Sequence, residues 1–314
     1  MLTETFKVED ISPAEKTRMD IYLARKFPGY SRSFFQKLFS SGAIKLNGDV
    51  VRDKNTVVKG GEVISFVIPP DEAGDFSKSP QCDIALDIIH EDEYIIAVNK
   101  QAGLVVHPAC GHPDGTLTDA LKVYSKNIWQ PYLAHRLDKD TTGVIIAAKN
   151  MRARDILARQ FKSRHVRKVY IAIVKGVVNF KKASIDAPLG RKPANRFVVS
   201  VGEGAKMRDS YTEAEKILDG KGWSALMVKP QTGRTHQIRA HFAFIRHPIL
   251  GDAMYGGSTS DNIAKATRPL LHAYSITFRH PGDAREVSYT APLPRDMLSV
   301  APGLEQIFDK GLSI

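Results

Sequence analysis

The chain has 314 residues, 43% of them hydrophobic and 25% charged, a balance that supports a globular core and a prior of two domains. Its formal net charge of +11 calls for an acidic partner, either nucleic acid or an anionic membrane surface. The two cysteines, Cys82 and Cys110, lack metal-ligand spacing, no stretch approaches the ~20 apolar residues of a membrane span, and the N-terminus carries no secretory or transit signature; a disulfide framework and a membrane-spanning protein are excluded and a cytoplasmic protein is expected.

Residues 14–70 read as a small first domain. Met19, Tyr22, Leu23 and Phe27 recur at helical spacing, and Pro28-Gly29 stops that helix. Ser31 or Ser33 caps a second helix with a buried stripe of Phe34, Phe35, Leu38 and Phe39, ending at Gly42. Short strands follow, Ala43 to Leu46, Val50-Val51 and Glu62 to Ile68, with a hairpin turn at Asn47-Gly48. From Lys16 to Lys59 there are ten Lys/Arg against three acids, and no acid interrupts Ile21 to Gly48. Two short helices and a hairpin of one-signed charge suit structured RNA, with Ser31-Arg32-Ser33 at a helix N-terminus that favours phosphate.

Residues 71–83, acidic and rich in breakers, read as a linker, and 84–314 as a second domain. Strands are expected at Leu86 to His90 and Tyr94 to Asn99, then a glycine turn at Gly103 and another strand ending at His107, which leaves Lys100 and His107 at strand ends. His135-Arg136-Leu137-Asp138-Lys139-Asp140-Thr141-Thr142-Gly143 is a polar loop that enters the apolar strand Val144 to Ala148. Met151 to Lys162 is an amphipathic helix, and Val169 to Val174 a strand that sends Tyr170, Ala172 and Val174 to one face. Gly233 opens a helix with the stripe Ile238, Phe242 and Ile245, with Arg239 and two histidines in its first turns. His236 and His241 are five apart, so they do not share a helix face as zinc ligands would, and no metal is expected. A glycine-rich turn, Pro248 to Gly257, and a strand, Leu270 to Phe278, complete the pattern.

The first domain resembles the αL-type (S-four-like) RNA-binding domain through Arg18-Met19-Asp20, Ser31-Arg32-Ser33, Gly42 to Gly48 and Gly60-Gly61-Glu62. Nearly the whole chain resembles the RluA family of RNA pseudouridine synthases, and within it the RluD-type large-subunit ribosomal RNA enzymes. The ordered set is Asn99-Lys100, Gly103, His107-Pro108, Pro113 to Thr116, His135 to Gly143, Lys168-Val169-Tyr170, Thr232 to Arg239, Gly251-Asp252 and Tyr255-Gly256. Gln101 stands where the family usually has Pro, and Lys206 to Thr212 lacks the small residue and threonine common there.

The resemblance implies an α+β fold, a mixed, mostly antiparallel sheet with flanking helices and a basic cleft, behind the small RNA-binding domain. It implies isomerisation of uridine to pseudouridine in structured RNA, ribosomal RNA foremost, with ribosomal particles during assembly as a further partner, and a monomeric enzyme without cofactor or metal. Asp138 corresponds to the essential aspartate, free to attack the sugar, attack the base or remove the 2′ proton. Tyr170 would stack on the base and accept the C5 proton, Arg239 would pair with Asp138, and Arg136 would fill the gap left by the flipped base. RNA contacts are further expected from Arg18, Arg32, Lys37, Lys45, Lys168 and Arg234. Asp140 is an obvious second carboxylate but, two residues on, is expected to support the loop. The competing readings are a non-catalytic RNA-binding or ribosome-assembly factor, a transfer-RNA pseudouridine synthase and a base glycosylase, which would release free uracil. A membrane-surface protein is disfavoured, since no basic amphipathic helix with exposed large apolar residues appears.

Overall fold

The computed structural model describes residues 2–12, 15–27, 32–68, 84–108, 114–126, 128–192, 195–202, 205–257 and 266–309, and the chain divides into two compact units, Met1–Lys78 and Ser79–Ile314. Pro28-Gly29, Ser31 and the expected linker at 71–83 lie outside the described residues. No helix among those described is long and apolar enough to cross a membrane.

The first unit runs β1 (Leu2–Lys7), β2 (Thr17–Arg18), α1 (Met19–Lys26), α2 (Arg32–Ser41), β3 (Ile44–Leu46), β4 (Asp49–Val50), β5 (Val57–Val58) and β6 (Val63–Ile68). Met19 and Leu23 of α1 meet Phe35, Leu38 and Phe39 of α2 over Ile44, Ile64 and Phe66 of the sheet, and all are buried. Each such side chain stabilises the unit by about 1.5–3 kcal/mol through burial. Asn47 and Gly48 take φ of 52° and 96°, the left-handed pair of a tight hairpin, as the Asn-Gly sequence predicts. Two features differ from expectation. Strand β1 pairs along all of β6, ahead of residue 14, and with Phe6 as its partly buried core contact it shows no apolar alternation that would announce a strand. Helix α2 begins at Arg32, so Ser33, one of the two expected caps, stands inside the helix.

The second unit runs β7 (Ile88–Glu91), β8 (Ile95–Lys100), α3 (Leu117–Tyr124), β9 (Tyr132–Leu133), β10 (Thr142–Ala148), α4 (Met151–Lys162), β11 (Arg167–Lys175), β12 (Lys182–Asp186), β13 (Leu189–Lys192), β14 (Asn195–Val201), β15 (Ala205–Arg208), β16 (Tyr211–Gly220), β17 (Trp223–Pro230), α5 (Gln237–Phe244), β18 (Leu271–Arg279), β19 (Glu286–Thr290), α6 (Arg295–Val300) and α7 (Gly303–Asp309). Its main sheet has the order β12-β16-β17-β11-β18-β10-β8-β7, with β19 on β18 and β9 on β10; β13, β14 and β15 form a separate small sheet. Every described pairing of the main sheet is antiparallel except β10 with β18, so the mixed, mostly antiparallel α+β architecture that the family resemblance implies is present. Alternation along β11 sends Ala172 and Val174 into the core under α5, with Ile238 and Phe242, and Val169, Ile171 and Ile173 into the core with Met297 and Leu304 of α6 and α7.

One expected strand is absent and one expected helix starts later. Residues 104–106 form no strand, because the carbonyls of Val105 and Val106 accept the first-turn N–H groups of Leu117 and Thr118 in α3. Helix α5 begins at Gln237 and not at Gly233, since His236 adopts a left-handed φ of 52° that a helix cannot run through.

Candidate active site

Strand β10 is buried from end to end, so the polar loop before it must leave the core at a fixed place. Gly143 sets that place. Its φ is +111°, and a Cβ there would lie 2.2 Å from the Ala273 carbonyl oxygen, so only glycine lets β10 and β18 pair in parallel at this point. The loop backbone is pinned carbonyl by carbonyl. Asp138 O accepts from Thr141 N at 3.1 Å, Lys139 O from Lys100 Nζ at 2.8 Å, and Asp140 O from Arg268 Nη1 at 3.2 Å. Lys100 also donates to the carbonyls of Gln101 and Leu104 at 2.8 and 2.9 Å. Burial pulls its ammonium down to about 8, against Asp140 and Asp138, which push it up. Asp140 thus serves the loop through its carbonyl. His135, stacked on Phe161, accepts from Ile146 N at 3.0 Å, and burial holds its imidazole neutral down to about 3.

The pinned loop presents Asp138 to a cleft of about 560 Å³ whose walls include Arg136, Lys168, Tyr170, Arg234, His236 and Arg239. Arg239 Nη1 approaches Asp138 Oδ2 at 3.4 Å, and His236 Nε2 lies 3.9 Å from Oδ1. Arg239 is itself clamped by Asp252, Nε to Oδ2 at 2.6 Å and Nη2 to Oδ1 at 2.9 Å. Burial alone would weaken the guanidinium's hold on its proton; the carboxylates, Asp252 first and Asp138 second, more than reverse that. Its fork also lies over the Tyr255 ring, 5.1 Å from the centroid.

Tyr170 reaches the same cleft through strand register. Ala273 of β18 pairs with Gly143 on one side and Tyr170 on the other, which sets loop and tyrosine in one row across three strands. The β11–β18 register slips between Val169 and Tyr170, a bulge of the kind that re-aims a side chain. Burial first, and the Asp138 charge second, push the phenol well above its ordinary value, so it keeps its proton at neutral pH. Lys168, two residues earlier, donates to Thr232 O at 3.4 Å, and burial lowers its ammonium to about 8. Arg136 is exposed at the cleft, and Arg234 Nε donates to Asp209 O at 3.2 Å. The loop at 232–236 is held by Gln237, whose Oε1 accepts from Thr232 Oγ1 and Arg234 N while its Nε2 donates to Tyr211 O and Thr212 Oγ1.

Arg18, Arg32, Lys37 and Lys45 belong to the first unit. There the fully buried Asp20 accepts from Arg18 at 3.1 Å, Arg32 at 2.7 Å and Gln36 at 2.8 Å. Burial pushes this carboxyl up, but Gln36, Arg32 and Arg18 together hold it below the usual range. An acid that on the sequence merely offsets the basic charge is the anchor that orients two of the arginines. Lys37 and Lys45 are exposed on α2 and β3. In the second unit, the residues with no role read from sequence are Asp252, His236 and Tyr255. All stood inside motif stretches, but nothing in the spacing says which carboxylate a cation far along the chain will meet.

A family model described as RNA pseudouridylate synthase matches residues 94–244, and one described as S4 domain matches residues 17–64. Ribosomal large subunit pseudouridine synthase D of Xylella fastidiosa is 38% identical over 303 residues, which cover 92% of this chain and 89% of that protein. An uncharacterized RNA pseudouridine synthase of Aquifex aeolicus is 37% identical over 313 residues, 96% of each chain. Among solved structures, human RNA pseudouridylate synthase domain containing 1 shares the fold, with a TM-score of 0.58, 24% identity and coverage of 73% of this chain and 96% of its own. Full-length similarity of this order, on a chain with the cleft just described, shows that the protein belongs to the RluA-like RNA pseudouridine synthases that carry an S4 domain, and that it is an RNA pseudouridine synthase.

Proposed function

We propose that the enzyme isomerises specific uridines of large-subunit ribosomal RNA and that Asp138 is its essential catalytic residue. The observation that carries the reading is the Asp138 carboxylate, held on a pinned loop within reach of Arg239 and His236 at the cleft that also contains Tyr170. The preference for ribosomal RNA rests on the similarity to the Xylella fastidiosa protein, whose name carries that substrate.

The reaction breaks the N1–C1′ bond, forms a C5–C1′ bond, releases the C5 hydrogen as a proton and returns one to N1. Electrons balance without an oxidant or reductant. A carboxylate can carry the step as nucleophile or as base, and the Arg239 guanidinium beside it orients the carboxylate toward the cleft. The target base must first leave its stack at a cost of a few kcal/mol, and in this reading the exposed Arg136 fills the gap. Tyr170 stacks on the extruded base. Its hydroxyl, at the same cleft, is the group this reading assigns to proton transfer at C5. Arg18, Arg32, Lys37 and Lys45 of the S4 domain supply phosphate contacts, as do Lys168 and Arg234 at the cleft. Pseudouridine mapping of ribosomal and transfer RNA from cells with and without the gene tests the substrate. Sites in large-subunit RNA should vanish with the gene and return with it; loss confined to transfer RNA would overturn the ribosomal assignment.

A further inference from the structure

His236 is the second group facing Asp138, and it is held in a way that its sequence position does not require. Its backbone is left-handed, φ 52°, at the residue that caps α5, a conformation that strains any side chain but glycine and is eased in Asn and Asp. Its Nδ1 lies 3.1 Å from the Tyr255 hydroxyl, and the two rings stand edge to face, 5.7 Å apart. The Tyr255 oxygen already accepts from the Val199 N–H of β14 at 2.9 Å. With that bond made, the phenol's own proton is free to point at Nδ1, which leaves the neutral ring with its hydrogen on Nε2, the atom 3.9 Å from Asp138 Oδ1.

We propose that His236 is a positioning residue for the isomerisation: its Nε2–H, with the tautomer set by Tyr255, steers one oxygen of Asp138 while Arg239 holds the other. The inference rests on the reading of Asp138 as the catalytic carboxylate. At 3.9 Å the Nε2–H is beyond hydrogen-bond length and faces Asp138 Oδ1 as a dipole, opposite the Arg239 contact on Oδ2; together they favour one orientation of the carboxylate, and a nucleophile or base gains rate from orientation at no cost in RNA affinity. The charged groups facing the imidazole fit a neutral ring. Burial, the largest effect, lowers its basicity, Asp138 and Asp252 oppose this, and Arg239 and Arg136 reinforce it. Burial also raises the Tyr255 phenol, which therefore stays a donor. An imidazolium at this point would tie Asp138 into an ion pair and slow the reaction. Val199 lies in the small sheet of β13, β14 and β15, so the same chain of bonds makes the Asp138 geometry depend on that sheet.

The test uses the full chain and a transcript of large-subunit ribosomal RNA labelled with tritium at uridine C5, so that turnover is read as released tritium. His236→Asn, which tolerates the left-handed backbone, is expected to lower the single-turnover rate at saturating protein by roughly tenfold or more, with RNA affinity unchanged within about twofold. His236→Gln, which can return an N–H near the Nε2 position, recovers part of the loss. In the pH profile the acid limb moves up in Tyr255→Phe, where Nδ1 loses its donor, and moves down in His236→Asn, where the imidazole is gone. A structural role alone moves neither limb. A His236→Asn rate within about twofold of wild type, or limbs that stay put in both variants, would overturn the proposal. Asp138→Asn, run beside them, separates the two levels: turnover in that variant would remove the reading beneath the inference, whatever His236 does.

Discussion

Asp252→Asn isolates the clamp behind the candidate active site. The substitution keeps shape and one acceptor but removes the charge that two bonds of 2.6 and 2.9 Å bring to Arg239. Water cannot compensate readily, since the Arg239 and Asp252 side chains are 10% and 1% exposed. Removing one partner of such a pair costs about 3–5 kcal/mol, and the remaining amide oxygen brings the loss to the lower end, about 3 kcal/mol. In a unit of this size each kcal/mol moves the melting temperature by about 2–4 °C, so the second unit should melt roughly 6–12 °C lower. The guanidinium then leans on Asp138 alone, the fork loses its fixed direction, and the single-turnover rate should fall by about 10- to 100-fold. Circular dichroism melts and tritium release read the two effects. A melting temperature within about 2 °C of wild type would refute the argument that this charge is desolvated and indispensable.

Gly143→Ala should cost well over ~2 kcal/mol, from the left-handed strain together with a Cβ that meets the Ala273 carbonyl; a chemical-unfolding curve that overlays wild type would contradict the close approach. Stability should also fall with acid in a definite direction. Unfolded histidines take up protons below about pH 6.5. His135, half-buried at the cleft, and His272, fully buried, are held neutral by desolvation and resist until about 3 and about 4. The stability they contribute is therefore full above the unfolded value and is lost on acidification, by up to about 1.4 kcal/mol per pH unit for each. Urea titrations of the whole chain at pH 7 and pH 5 check the sign, and equal free energies would contradict it. In the S4 domain, Asp20→Asn releases Arg18 and Arg32 from their anchor; RNA affinity should fall and its logarithmic salt slope should flatten by about 1–2, read by filter binding at several salt concentrations. An unchanged slope would mean that the two arginines do not contact phosphate.

The long periodic elements were legible in the sequence. Helix α4 has the span that its periodicity predicts, α1 and α2 lie where the stripes of Met19, Leu23, Phe35 and Phe39 put them, and the strand face of Tyr170, Ala172 and Val174 follows from simple alternation. The motif stretches carried Asp138, Tyr170 and Arg239 together, and these residues do line one cleft. What could not be read were partnerships set by tertiary structure. Asp252 clamps Arg239 and Tyr255 orients His236 across turns whose geometry local spacing does not encode. Likewise Leu104 to Val106 has strand composition, yet the carbonyls of Val105 and Val106 satisfy the open N-terminus of α3, a competitor that appears only once the chain is folded. Asp20 makes the same point for charge: a count treats it as a subtraction, whereas burial among Arg18, Arg32 and Gln36 makes it the organiser of the basic surface.

The measurement that bears most directly on the account is tritium release by purified Asp138→Asn and wild-type protein from the same C5-labelled ribosomal RNA transcript, with RNA binding measured in parallel. Wild type is expected to release tritium, the variant none over many wild-type half-times, and the two to bind RNA with nearly equal affinity. Substantial release by Asp138→Asn, with its fold and its RNA binding intact, would contradict the account.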